Sequence, residues 1–494
     1  MSDTRSLPTR AVRGVAWVAV EKWGGRLLTL LVFSILGRIL SPDDFGLMAL
    51  AASIGAIVQV FVENGMAEAL VQKKHLEERD VHTAFWTSVG TAIVLYAALV
   101  ALSPLLAAAF DEPRLASIIP VSALVLPIAS LYSVPAALLE RELQFRKLTF
   151  RQLGGSIVGA AVAITLALVG AGVWALVLQP VATGAAAALI LWFLSGFRPK
   201  LTYSRDAIRG IWTFSMQVIG IEFLNAMQSN VDKLVVGSFF TPAVLGYYFI
   251  AQRLLTIVME VIAAVLAKVS LTTFSRVQDE PERMLTYFKA LTFASAAIAF
   301  PIYGGIVAFG HPITDLLFGS GWDRTVPMMI LMAPSAALAS VTFFDKSVLL
   351  ARGRGNASLK VAAGQFVFGT VVLLVAVPFG INGVAAARSI RQIVFWPVRI
   401  YTLHKHTGLS PVSYLLQFVK PILATAVLIA VGLALQATPW AHVGWSTVTF
   451  LIPAGLIVVA CYLATMRAAA WQECLRILRV LRRSYAPAET PMST

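Results

Sequence analysis

"GRILSPDDFGLMALA", residues 37–51, returns two hundred positions later as "GSFFTPAVLGYYFIA", residues 237–251. Gly37, Pro42, Gly46 and Ala51 recur as Gly237, Pro242, Gly246 and Ala251, and Ser41 is matched by Thr241. Each copy lies between two long apolar runs. Proline fixes φ and suits the first turn of a helix, and a glycine four residues on lets another helix come close. Any helical hairpin could use that pair once. The shared offset of the whole motif points instead to a duplication, in which each copy turns the first hairpin of its own half. Weaker echoes agree with this reading: Arg13-Gly14 with Arg209-Gly210, and "GAGVWAL" at 170–176 with "GINGVAA" at 380–386.

Working outward, the chain has 494 residues, 58% of them hydrophobic and 13% charged, and a mean hydropathy of +0.79. A water-soluble domain needs about twice that share of charge to cover its surface. Runs of about twenty apolar residues, enough to cross a hydrocarbon core of roughly 30 Å, recur along the sequence. Fourteen are expected, at 15–37, 45–66, 83–110, 115–138, 153–170, 173–195, 211–236, 244–270, 288–309, 326–350, 358–379, 383–403, 414–436 and 444–466. The expected fold is an all-α polytopic membrane protein of two six-helix lobes in parallel repeat, with two further C-terminal helices. The lobes fall at 1–200 and 201–405, the extra pair at 406–466, and an amphipathic tail at 467–494. Glu21, Lys22 and Arg26 within the first run, with no small-residue site after it, argue against a cleaved signal peptide.

The charge of +14 is distributed by side. Of 39 Lys and Arg residues, 27 lie in the tails or in and beside the even-numbered connections, against Arg38, Arg114 and Arg324 in the odd-numbered ones. That asymmetry retains the basic side in the cytoplasm and places both termini there. It also accounts for the high pI by attraction to an anionic leaflet rather than to nucleic acid. Cys461 and Cys474 suggest neither a disulfide framework nor a metal site. No G-x-x-x-x-G-K-[ST] occurs, so the chain has no nucleotide-driven engine of its own, and no cofactor is expected.

"GRILSPDDFGLMALA", "VQKKHLEERDVHTAFW" at 71–86 and "VDKLVVGSFFTPAVLGYYFIAQRL" at 231–254 resemble the Wzx-type lipid-linked oligosaccharide flippases of the multidrug/oligosaccharidyl-lipid/polysaccharide exporter superfamily. The resemblance covers almost the whole chain and is nearest to the exopolysaccharide branch, which serves polymers such as succinoglycan or xanthan. It implies a bacterial inner-membrane transporter that flips undecaprenyl-pyrophosphate-linked oligosaccharide repeat units by alternating access. It further implies partners in the membrane lipids and in the polymerase and co-polymerase of the same pathway.

Charges at membrane depth are the candidate transport residues, because each must find a partner or water. Glu222, Asn225, Ser229, Asp232 and Lys233 share one face of the seventh span, lining either a cavity or an interlobe hydrogen-bond network. Arg253 and Glu260 share a face of the eighth span, where either could pair with the acids of the seventh; Lys268 approaches the cytoplasmic interface. Arg388, Arg391 and Gln392 form a cationic face in the twelfth, and Lys22 and Arg26 lie one turn apart in the first. With the resemblance in view, Arg26, Arg253, Arg388 and Arg391 are candidates for the pyrophosphate or an acidic sugar, since guanidinium forks match phosphate oxygens, with structural ion pairing as the alternative; Lys22 joins them as a point charge, with a place at the membrane interface as its alternative. Glu222 and Glu260 are candidates for ion coupling, and Glu63, Glu68, Asp345 and Lys346 are weaker ones.

Two other classes compete. An integral-membrane glycosyltransferase or polymerase could use Asp43-Asp44 at an external active site, although acidic residues at a helix start are favoured by the helix dipole anyway, and "TPAVLG" in the second copy lacks them. A multidrug antiporter would share the fold, but basic cavity faces do not suit cationic drugs. His75 and His82 read as solvated loop residues.

Overall fold

The computed structural model describes residues 6–73, 76–276, 281–352, 354–438, 449 and 451–467, and among them there are helices and no strands. In the first half these are α1 (Ser6–Ile39), α2 (Pro42–Gln72), α3 (Glu78–Ala109), α4 (Leu115–Ser122), α5 (Val125–Arg141), α6 (Phe145–Leu168), α7 (Val173–Ser195) and α8 (Arg205–Phe239). They are followed by α9 (Pro242–Arg276), α10 (Pro281–Ala308), α11 (Gly310–Phe318), α12 (Thr325–Thr342), α13 (Asp345–Ala351), α14 (Gly355–Ala376), α15 (Gly380–Thr407) and α16 (Pro411–Gln436). The last is α17 (Leu451–Arg467). Among the described residues ten helical stretches are long and apolar enough to cross a membrane, which makes the chain a multi-pass membrane protein. The expected amphipathic tail and Cys474 lie outside the described residues.

Contacts divide the chain after Phe249, into Met1–Phe249 and Ile250–Thr494. In the first unit α8 packs along α2, and the two copies of the motif meet. A Cβ on Gly46 would fall 1.7 Å from the Pro242 carbonyl oxygen, and one on Gly246 would fall 1.8 Å from the Pro42 carbonyl oxygen. The contact is reciprocal: each glycine lies where the other copy's proline carbonyl needs the space. Phe33 joins the same seam, edge-on to Phe45 at 5.5 Å and to Phe249 at 6.1 Å.

The start of α2 is fixed locally. The Asp44 amide donates to Ser41 Oγ and the Ser41 amide donates to Asp44 Oδ2, a capping box ahead of Pro42 that satisfies two orphan donors. Asp43 pairs with Arg114 at 2.6 Å, and Arg114 also holds Glu112 at 2.7 Å. Those hydrogen bonds keep the Glu112 carboxyl below the usual glutamate range, so this link is intact at neutral pH and fades as the pH falls through that lowered value. Asp43 and Asp44 thus have structural partners at this turn.

Elsewhere in the first unit, small residues bring α6 and α7 together: a Cβ on Gly159 would lie 1.9 Å from Thr183 Oγ1, and one on Gly155 would lie 2.7 Å from the Thr183 carbonyl oxygen. Without a hydrophobic drive between helices in lipid, such close approach supplies the packing energy. At the opposite end from the motif, Arg141 donates to the carbonyls of Leu70, Val71 and Lys73 and so caps α2. The connection 196–204 is strapped to α3. Trp86 Nε1 donates to the Lys200 carbonyl at 2.9 Å, the Lys200 amide to His82 Nδ1 at 3.2 Å, and the Ser204 amide to Thr83 Oγ1 at 3.0 Å. His82 is therefore not the solvated loop residue its sequence context suggests: it is buried in α3, stacked on Phe197, because the strap needs an acceptor there. His75 lies outside the described residues.

The second unit packs α10 against α16 and α12 against α15. Its core joins Phe293, Phe309, Leu428, Val458 and Met466, so that α17 closes on α10 and α16. Tyr462 of α17 ties the layer by donating to the Ala297 carbonyl at 2.9 Å.

The reciprocal glycine contact predicts a sharp difference between glycines of one helix. Gly46→Ala and Gly246→Ala should each cost about 3 kcal/mol or more, the upper end of overpacking penalties, and lower the melting temperature of the purified protein. Gly55→Ala, on α2 but with nothing within 4 Å of the added carbon, should leave it unchanged.

Candidate functional site

Within the second unit α9, α12 and α15 enclose a cavity of ≈ 90 Å³ whose lining includes Gln252, Thr256, Ser335, Arg388, Arg391 and Gln392. Spacings of three and four on α15 put the two arginines and Gln392 on one helix face. Two features hold that face. Ser389 Oγ donates to the Leu331 carbonyl at 2.6 Å and accepts from the Ser335 amide at 3.2 Å, so a hydroxyl of α15 stands in the hydrogen-bond ladder of α12 beside Pro334. Arg391 lies against Gly369 of α14, where a Cβ would sit 3.1 Å from its Cδ.

Polar contacts continue along α15. Gln392 accepts from Gln365 Nε2 at 2.8 Å, Arg399 donates to Gln365 Oε1 at 3.2 Å, and Arg399 Nε lies 3.2 Å from Asp345 Oδ2. Asp345 is 4% exposed and Tyr414 fully buried. Apart from that ion pair Asp345 has no polar partner among the described residues, and neither Tyr414 Oη nor Trp396 Nε1 has a hydrogen-bond partner among them. Gln252 Oε1, at the cavity, is a further buried acceptor without one. Two guanidiniums beside an unsatisfied amide oxygen form a place for a ligand that carries both an oxyanion and a hydroxyl donor.

The other expected residues are dispersed. Arg253 and Glu260 do share a face, but they pair with each other at 3.6 Å, each about one third exposed. In the first unit Glu222 accepts from Asn225 Nδ2 at 3.2 Å and Ser229 is exposed. Asp232 turns inward, 1% exposed, and accepts from Tyr248 Oη at 3.4 Å, while Lys233 is half-buried. The five-residue face of α8 is thus split, because its last turns are consumed by packing on the start of α9. Arg26 is half-buried on α1; the side chains of Lys22 and Lys268 lie outside the described residues. Glu68 and Lys346 are exposed.

In the first unit a second, part-buried polar group gathers around Glu63, one of the weaker sequence candidates; its partners Gln59, Tyr132 and Arg151 were not singled out from the sequence. Glu63 accepts from Gln59 Nε2 at 2.8 Å and from Tyr132 Oη at 3.0 Å, and the Arg151 guanidinium lies 5.1 Å from the Tyr132 ring. Arg151 falls between the expected spans 115–138 and 153–170, whereas α6 begins at Phe145 and carries it into the bundle. The spacing of Gln59 and Glu63, one helical turn apart, was the available signal. Arg399 and Gln365 were missed likewise, although Arg399 follows Gln392 by seven residues on the same face of α15; Gln365 lies on α14, whose rotation the sequence does not fix.

The fold is shared with a solved structure of "Lipid II flippase MurJ, inward closed conformation", at a TM-score of 0.75 and 15% identity over 94% of this chain and all of that one. In sequence, the chain is 27% identical over 326 residues to the "Succinoglycan biosynthesis transport protein ExoT" of Rhizobium meliloti (strain 1021), covering 66% of each. It is 24% identical to the "Lipopolysaccharide biosynthesis protein WzxC" of Escherichia coli (strain K12), over 87% of this chain and 88% of that protein. Residues 35–327, more than half of the chain and including both copies of the motif, match the family described as "Polysaccharide biosynthesis protein", and the chain belongs to that family.

Proposed function

We propose that this protein flips undecaprenyl-pyrophosphate-linked oligosaccharide repeat units from the cytoplasmic to the outer leaflet of a bacterial inner membrane, for exopolysaccharide or lipopolysaccharide biosynthesis. The observation that carries the reading is the cavity holding Arg388, Arg391 and Gln252 inside a membrane-spanning unit. Two guanidiniums suit the pyrophosphate, and the orphaned Gln252 oxygen suits a hydroxyl of the first sugar. The relatives named above, a succinoglycan transport protein and a lipopolysaccharide biosynthesis protein, support the same substrate class.

In this reading the chain makes fourteen passes. The stretch Gly355–Thr407 is 53 residues long and broken at Val377–Phe379, which is length for two crossings; α1, α8 and α17 add three to the remaining nine stretches. Both termini are cytoplasmic, and lobes at 1–200 and 201–405 rock about the substrate. Arg26 and Lys22 of α1 offer further cations to the pyrophosphate. The Arg253–Glu260 pair supplies a cation once it opens, and Glu222 with Asn225, Ser229, Asp232 and Lys233 forms the polar wall. The chain works as a transporter without a catalytic step, in company with a polymerase and co-polymerase.

In a strain lacking the protein, pulse-labelled repeat units should accumulate on the cytoplasmic face. Normal arrival at the outer face, with polymerisation alone lost, would contradict the reading. Arg388→Ala and Arg391→Ala should each lower export roughly tenfold, as expected for loss of a charged hydrogen bond, with the melting temperature unchanged. Full export by both variants would remove this cavity from the transport path.

A further inference from the structure

The first unit carries a groove of ≈ 350 Å³ between α5 and α7, lined by Leu131, Ala188, Leu189, Trp192, Phe193 and Arg198. It lies on the outside of that unit, since Leu189 is 63% and Phe193 83% exposed. Ala188 leaves room one turn before Trp192, and Trp192 is held from two sides. Its indole Nε1 donates to the Leu131 carbonyl at 3.0 Å, and its own carbonyl accepts from Arg198 Nη1 at 3.0 Å. The walls of the groove are thereby set before anything enters it.

Arg198 has an ordinary role: it caps the last turn of α7, which ends at Ser195, by reaching the Trp192 and Phe197 carbonyls through Nη1. That role uses one nitrogen. A guanidinium carries five N–H donors in a rigid plane, so the same two bonds that cap the helix also orient the donors on Nε and Nη2. The result is an apolar slot with one oriented cation at its end; Lys200, two residues on, is paired with Glu78.

We infer that this groove is a binding site for an anionic phospholipid, with one acyl chain along Leu131, Ala188 and Trp192 and the phosphodiester on Arg198. A single negative phosphodiester matches a single guanidinium. A zwitterionic headgroup would bring its own cation towards Arg198. A pyrophosphate carries more charge than one arginine offers. The site lies at the end of α7 that leads into a basic connection, the side that the charge distribution of the sequence assigns to the anionic leaflet. Arg198 also stands at the root of the connection 196–204, which is strapped to α3 through His82, Thr83 and Trp86. Bound lipid would therefore brace the segment leading from α7 into α8. The assignment is independent of the oligosaccharide-transport reading.

The test uses the full chain in nanodiscs of phosphatidylglycerol and phosphatidylcholine in equal parts, with the lipids retained after detergent extraction counted by native mass spectrometry. The wild type should retain phosphatidylglycerol over phosphatidylcholine by about fivefold, the weight of one basic residue at an anionic surface. Arg198→Gln should bring the ratio close to one, and Arg198→Lys should keep most of it. Ala188→Leu fills the slot while leaving the cation in place, and should lower retention of both lipids. Melting temperatures separate these effects from unfolding. Equal retention by the wild type, or an unchanged ratio in a folded Arg198→Gln protein, would overturn the proposal. So would displacement of phosphatidylglycerol by equimolar undecaprenyl pyrophosphate, which would give the groove to the isoprenoid lipid instead.

Discussion

The fold of the first unit depends on two places where a backbone carbonyl occupies the space of a missing side chain. Pro42 and Pro242 each open a helix, and each presents its carbonyl to the glycine of the other copy. A proline at the start of a helix costs nothing in hydrogen bonds, because its N–H would have been unpartnered there. Its carbonyl is free to press on a neighbour only if that neighbour lacks a Cβ. The duplicated motif therefore encodes two hairpins and also the surface by which they meet. The capping box of Ser41 and Asp44 and the Asp43–Arg114 pair serve that surface by fixing where α2 begins.

That part of the structure was legible because its signals are local or repeated: proline and glycine at fixed offsets, long apolar runs, basic residues on alternate connections. The candidate site was legible only in part. Arg388, Arg391 and Gln392 could be grouped because one helix carries all three. The partners that make them a site, Gln252 on α9, Gln365 and Gly369 on α14 and Ser335 on α12, come from helices whose rotation no single-sequence pattern fixes. Asp232 shows the opposite failure. Its offset from Glu222 places it on the same helix face, yet the last turns of α8 pack against the beginning of α9, and Tyr248 takes the carboxylate. His82 was misread for a similar reason: the chain that buries it, residues 196–204, lies more than a hundred positions away.

Membrane depth makes each polar group consequential. Ser389 stands in the α12 ladder next to Pro334, so that a break in one helix becomes a fastening to another. From there the polar groups of α15 run through Gln392 and Gln365 to Arg399 and its buried partner Asp345, linking the arginine cavity to a cluster that includes Tyr414 and Trp396, whose polar atoms have no partner among the described residues. Unfilled buried polar atoms are rare in native proteins and mark places where water, a ligand or a change of state is accommodated. A cavity fastened on three helices and bordered by such a cluster has the makings of a site that changes partners during a cycle.

The central claim is that this chain alone carries a lipid-linked oligosaccharide across a bilayer. The most direct measurement places the purified protein in sealed liposomes loaded with an undecaprenyl-pyrophosphate-linked oligosaccharide, and follows the fraction open to a membrane-impermeant glycosidase over time. The account predicts that the protected half becomes accessible far faster than in protein-free liposomes. A protected fraction that persists as long as in the protein-free control would contradict it.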